Sequence, residues 1–255
     1  MSLRNVIHAV IGLILVLWLT ACAQLPARNP IATWVPSPNH EPRRPILIVL
    51  HATEQQSVQR SLDTLRSENS GGPVSAHYLI GRDGKLYQLV ADDQRAWHAG
   101  AGRWGTITDI NSASIGIELD NDGGAPFPPA QIDSLLRLLT DLCDRLRIPR
   151  TQIVAHAEFA PTRKSDPGPQ FPWQKLAAAG FGTWPAADAP PAPEAFDPWM
   201  ALRLIGYPMQ DRAATVRAFH RRYRGMETDT LDAEDSRILH ALTQGFAPVV
   251  DEGSE

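Results

Sequence analysis

The 255-residue chain has only two cysteines, no apolar run of twenty residues and no long run of basic residues. The longest apolar stretch, Val6 to Leu19, covers fourteen residues, short of the ~20 that a membrane-spanning helix needs. The 24 Lys and Arg against 28 Asp and Glu leave a net charge of -4. No basic run is long enough to neutralise a phosphate backbone, so nucleic acid is excluded as a partner. With 43% hydrophobic and 20% charged residues, usage is that of an ordinary globular chain, which excludes wholesale disorder. Proline is the residue in excess: 22 Pro against 18 Gly predicts extended linkers and proline-stopped loops. The length predicts one or two domains.

One positive charge, Arg4, precedes the Val6 to Leu19 stretch, which is interrupted only by His8 and ends in Leu19-Thr20-Ala21-Cys22. This is the layout of a secretory signal over residues 1–21. The last four residues resemble the bacterial lipobox, which implies cleavage before Cys22 and a lipid on its thiol; a plain signal peptide cut near Ala23 is the alternative. By resemblance to lipoprotein sorting, Ala23 in place of Asp implies the outer membrane of a Gram-negative cell, with the chain facing the periplasm. A lipidated Cys22 leaves Cys143 without a partner, hence no intramolecular disulfide in an oxidising compartment. Cys143 lies on the apolar side of a helix opened by Pro128 and Pro129, where Ile132, Leu135, Leu139 and Leu142 recur at helical spacing, and reads as a core thiol.

Residues 22–43 are proline-rich and aperiodic, which suits a membrane tether, with folding expected to start at Ile46. Ile46 to Leu50 reads as a buried strand ending at His51. Gln56 to Leu65 reads as a helix, and His77 to Ile80 with Leu86 to Val90 as a hairpin turning at Asp83-Gly84. Ser114 to Asp120 alternates, placing Glu118 on a polar face, and Gln152 to Ala155 is a second short strand, again ending in a histidine, His156. Strands interleaved with helices predict an α/β domain over residues 44–182, a central mixed β-sheet flanked by helices. A Pro/Ala linker at 183–196 leads to residues 197–246. There, spacings such as Val216, Phe219, His220 and Tyr223 predict a small C-terminal three-helix module.

Histidines at the carboxyl ends of two apolar strands are a chemical clue, because open sheets place active sites beyond those ends. The proline-stiffened loop after His156 adds Lys164 and Asp166. His, His and Asp form a common ligand set for catalytic zinc, leaving one tetrahedral position for water. Over a hundred residues separate His51 from His156, so spacing alone does not force the set together.

Five segments in order, Ile48-Val49-Leu50-His51, Ser75-Ala76-His77-Tyr78, Ala96-Trp97-His98-Ala99-Gly100, Asn111 to Glu118 and Arg163 to Pro169, followed by Phe171-Pro172-Trp173, resemble the zinc-dependent N-acetylmuramoyl-L-alanine amidases of the type shared with peptidoglycan recognition proteins. The likeness is strongest to the lipoprotein amidases of the Gram-negative outer membrane. It implies that His51, His156 and Asp166 bind Zn2+, that Glu118 is the catalytic carboxylate and that Lys164 assists at the reacting carbonyl. The implied reaction is hydrolysis of the amide between N-acetylmuramic acid and L-alanine in peptidoglycan or muropeptides. Trp97 and His98 are expected in the groove wall, with His98 near the sugar or peptide, and a monomer is expected. Leu202 to Pro208 with Val216 to His220 resembles the three-helix peptidoglycan-binding domain; a stabilising appendage is the alternative for this module. Other readings are a catalytically silent peptidoglycan receptor and a zinc hydrolase with another amide substrate.

Overall fold

A computed structural model describes residues 28–42, 45–69 and 71–244. The expected signal and the Cys22 lipidation site lie outside the described residues. The strands are β1 (Thr33–Trp34), β2 (His40–Pro42), β3 (Leu47–Ala52), β4 (Glu68–Asn69), β5 (Gly72–Pro73), β6 (Tyr78–Ile80), β7 (Leu86–Gln88), β8 (Gln94–Ala96), β9 (Ser114–Leu119) and β10 (Ile153–Ala155). Interleaved with them are α1 (Val58–Thr64), α2 (Ile110–Ala113), α3 (Pro129–Leu146), α4 (His156–Phe159) and α5 (Trp173–Ala178). The chain continues through α6 (Pro198–Ile205), α7 (Arg212–Tyr223) and α8 (Ala233–Thr243). The fold is mixed α/β, a central sheet flanked by helices.

The main sheet runs in the order β1-β7-β6-β9-β3-β10, with only the β6–β7 hairpin antiparallel. Its turn contains Gly84 at φ +82, a left-handed conformation that glycine adopts without strain. β3 is buried on both faces, as an unbroken apolar strand between parallel neighbours must be. Ile48 and Leu50 of β3, with Ile115, Ile117 and Leu119 of β9, pack against Ile132, Leu135, Leu139 and Leu142 of α3. Cys143 is buried in the same cluster, its thiol pushed up to about 11 chiefly by burial, as befits a packing residue. On the opposite face, Leu47 and Val49 pack with Ile110, Val154 and Phe159.

Two features depart from the sequence expectations. Folding does not wait for Ile46. Within the stretch expected as tether, β1 pairs in parallel with β7 and β2 pairs with β8. Asn29 is buried there, donating its backbone N–H to Gln88 Oε1 at 2.8 Å and its side-chain amide to Asp141 Oδ2 at 2.7 Å. Strands of two and three residues are too short to show a period of two, which is why this edge reads as coil in sequence. Second, β9 is buried at every position, its polar face included. That face is covered by other chemistry-bearing side chains instead of solvent.

The C-terminal helices form their own apolar cluster around Leu202, Phe219, Ile238 and Leu239, and the cluster takes in Ala157 of α4 and half-buried Trp104. Gly105 N–H donates to Gly206 O at 2.7 Å across the same contact. Inside the bundle, His220 is fully buried and bonds Asp235 Oδ2 through Nε2 at 2.9 Å and Thr228 O through Nδ1 at 2.8 Å.

Candidate metal centre

Parallel pairing puts His51 of β3 in register with Glu118 of β9, and Leu50 in register with Ala155, the last residue of β10. His51 and Glu118 therefore project together at the carboxyl end of the sheet, beside the turn at which β10 runs into α4 and presents His156. The loop after α4 folds back, with Ala157 N–H donating to Asp166 O at 3.0 Å, and returns the Asp166 carboxylate to the same point. His51 Nδ1 lies 2.9 Å from His156 Nδ1, and each lies 3.2 Å from Asp166 Oδ2. All three side chains are buried.

Hydrogen bonds on the far side of each ring decide which nitrogen faces the cluster. Ser114 O–H donates to Ile110 O at 2.6 Å, leaving its oxygen to accept from His98 Nε2–H at 3.2 Å. His98 Nδ1 then accepts from His51 Nε2–H at 3.0 Å, which leaves the lone pair of His51 Nδ1 directed at the cluster. His156 is oriented in the same way, donating Nε2–H to Ala99 O at 2.9 Å. Arg163 braces that carbonyl and Ala101 O at 2.6 Å each. Burial, opposed by Asp166 and reinforced by the neighbouring His156, pushes His51 down to about 4, so its imidazole is neutral at pH 7.

With Nε2 of each ring engaged elsewhere, two imidazole Nδ1 atoms and one carboxylate oxygen converge on one point, an arrangement that favours a cation between them. A tetrahedral ion with bonds of about 2.0 to 2.1 Å separates its ligand atoms by about 3.3 Å, close to the separations seen here. The donor set fits a metal, and outer-sphere hydrogen bonds of this kind are how metal-bound histidines are fixed.

Glu118 stands beside the cluster with Oε1 at 4.0 Å from His51 Nδ1. Its Oε2 is buried without a hydrogen-bond partner, and burial, then the Asp166 charge, raises the carboxyl to about 8. Lys164 is exposed at the rim, and its charge lowers both Glu118 and His51. These residues line a cleft of about 170 Å³ whose remaining wall includes Thr53, Glu54, Thr64 and Val74.

The two expected groove residues sit differently. His98 is 7% exposed and lies behind His51, its ring against Gly116, where a Cβ would come within 2.4 Å of it. Its bond to His51 makes it a support for a candidate metal ligand, although its edge reaches the cleft. Trp97 is half-buried and is not among the described residues lining the cleft. Its backbone N–H donates to Ser75 Oγ at 2.9 Å, which ties the segment down. His77 is likewise internal, accepting from Gly116 N–H at 3.0 Å.

Residues 41–169 match the family model described as N-acetylmuramoyl-L-alanine amidase. Over 223 residues the chain is 36% identical to the N-acetylmuramoyl-L-alanine amidase AmiD of Escherichia coli K12, spanning 81% of this chain and 76% of that protein. The fold superposes on a structure of E. coli AmiD in complex with the substrate anhydro-N-acetylmuramic acid-L-Ala-D-gamma-Glu-L-Lys. The TM-score is 0.69 at 33% identity, over 88% of this chain and 93% of that one. AmpDh3 of Pseudomonas aeruginosa matches with a TM-score of 0.69 at 29% identity, over 86% of this chain and 98% of that one.

Proposed function

Since this chain belongs to the N-acetylmuramoyl-L-alanine amidase family, we propose that it is a zinc-dependent hydrolase of the amide between N-acetylmuramic acid and L-alanine in peptidoglycan or muropeptides, releasing the stem peptide. The observation that carries the reading is the buried His51, His156 and Asp166 set with Glu118 alongside it. Zinc held there would supply a Lewis acid and bring the pKa of a bound water to about 7.

Glu118 is the proton carrier. Its unpartnered Oε2 is placed to take a proton from the attacking water once the carboxyl is ionised, the form that a cation held beside it would favour. The proton then passes to the alanine nitrogen as the C–N bond breaks. Lys164 at the rim donates to the carbonyl oxygen as negative charge develops on it. Ser114 and His98 keep His51 in the tautomer that the metal needs. A silent receptor has no use for a buried, unpaired Glu118, which costs stability and serves only chemistry.

Anchoring is part of the proposal. Leu19-Thr20-Ala21-Cys22 supports lipidation of Cys22 and residence on the outer membrane of a Gram-negative cell, facing the periplasm. Among the described residues no helix is long and apolar enough to cross a membrane.

The test is incubation of the chain beginning after Cys22 with purified muropeptides, with and without a chelator, and identification of products by mass. Free stem peptide with an N-terminal alanine is expected, suppressed by the chelator and by Glu118→Gln. Absence of that product, or a yield indifferent to both treatments, refutes the reading.

A further inference from the structure

Glu158 lies two residues beyond His156 and takes no part in the chemistry above, yet it is the most densely bonded carboxylate at the junction of the sheet with the C-terminal helices. Its Oε2 accepts the Ala155 N–H at 2.7 Å, closing the turn that carries His156. The same oxygen accepts Arg222 Nη1 at 2.7 Å, and Oε1 accepts the Tyr207 hydroxyl at 2.5 Å. Arg222 and Tyr207 both belong to the C-terminal unit, Arg222 on α7 and Tyr207 just after α6. Arg222 also donates to Ile153 O at 3.0 Å on β10 and lies over the Trp173 ring at 4.1 Å. Glu158, Arg222 and Tyr207 are all buried, at 1%, 4% and 3% exposure.

A buried ion pair holds its geometry only when its other lone pairs and protons are met, and one deprived of its partner moves to find water. Here both carboxylate oxygens are satisfied, although Arg222 Nε is buried without a hydrogen-bond partner, and two of the three donors come from the C-terminal unit. The turn they hold controls two ligands at once: it carries His156, and its Ala157 N–H fixes the Asp166 main chain. We infer that the C-terminal helices are a positioning element of the metal site: Arg222 and Tyr207 hold Glu158, and through it the turn that lets His156 and Asp166 share one cation. The inference rests on the reading of the cluster as a metal site. Among the described residues neither Arg222 nor Tyr207 lines the cleft, so both are positioning residues.

A merely stabilising contact and a positioning one differ in what they do to the metal. The full chain and its variants Tyr207→Phe, Arg222→Met, Arg222→Lys and Ile238→Ala are loaded with Co2+ for visible absorption. They are titrated with Zn2+ against a chromophoric chelator and melted in parallel. Ile238 lies in the helical core, so its truncation loosens the module while leaving the Glu158 bonds in place. Tyr207→Phe and Arg222→Met should each weaken zinc binding about 10-fold or more and shift the cobalt band, while Arg222→Lys restores part of the loss. Ile238→Ala should lower the melting temperature with zinc affinity within about two-fold of the parent. The inference is overturned if Tyr207→Phe keeps the parental affinity and spectrum, or if Ile238→Ala loses as much affinity for the same fall in melting temperature. Should Arg222→Met fail to fold, Tyr207→Phe, which removes one oxygen, decides alone. A parent that binds neither ion sinks the metal reading and this inference together. A parent that binds zinc in an Arg222-dependent way but cleaves no muropeptide sinks only the amidase reading.

Discussion

His51 and Glu118 are register partners on adjacent parallel strands, with His51 Nδ1 4.0 Å from Glu118 Oε1. One backbone pairing therefore sets the distance between a candidate metal donor and the proposed proton carrier. Neither depends on a loop for its position, which suits groups that must stay within fractions of an ångström of a productive geometry.

This pairing makes Glu118 a source of strain in the metal-free chain. Burial raises its carboxyl from the ordinary glutamate range near 4.5 to about 8, so folding disfavours its ionisation and the penalty grows as pH rises through that interval. Glu118→Gln should leave stability unchanged near pH 4. At pH 8 it should stabilise the metal-free chain by at most about 4 kcal/mol, since one pKa unit is about 1.4 kcal/mol. Denaturant melts at the two pH values measure this, and added zinc should shrink the gain. The same variant should lose about 100- to 10,000-fold in turnover while retaining metal.

Lys164 gives the opposite pattern. It is exposed, so Lys164→Met should leave the melting temperature within error. Loss of a donor to the developing oxyanion should lower kcat by about 100- to 1,000-fold with little change in zinc affinity. Steady-state kinetics on a muropeptide checks both parts.

Gly116 is where the sheet makes room for His98. In Gly116→Ala the added Cβ would stand 2.4 Å from His98 Cγ, the ring atom least able to move. Overpacking of this kind costs about 1 to 3 kcal/mol. Displacing His98 also removes the bond that orients His51. A lower denaturation midpoint and a weaker zinc affinity, read by chelator competition, should appear together.

Far from the metal, His220 should give the chain a pH-dependent stability of opposite cause. Burial would lower it, but the bond to Asp235, helped by Thr228 O, raises it above the ordinary histidine value. A raised folded value means the stabilisation is complete below the unfolded value of 6.5 and is lost as pH climbs through the folded one. The melting temperature of the parent should therefore fall across that range, and His220→Gln should flatten the slope. A parallel slope in the variant would show that other groups carry it.

Much of this site is legible in the sequence because its chemistry sits where apolar strands end. His51 and His156 each follow a short hydrophobic run, and proline stiffens the loop that returns Asp166. The supports are harder to see. The bond between His98 and His51 joins residues far apart in the chain, and nothing local marks it except Gly116, the one position on β9 without a side chain to block a ring. The alternation of Ser114 to Asp120 marks a polar face, but period alone cannot say whether water or other side chains cover it. Glu158 is also silent in sequence: a carboxylate at the first turn of a helix is common, and its two distant donors arrive only with the C-terminal fold.

If Cys22 carries the proposed lipid, the buried Asn29 limits how far the folded domain can stray from the membrane. It stands seven positions after Cys22, and a fully extended chain of that length reaches about 25 Å. On the proposed lipidation, the catalytic domain is moored on a short leash and not a long one. Its working range would then be a thin shell over the inner face of the outer membrane, and substrate would have to come to it by diffusing or by lying in the wall layer next to that membrane.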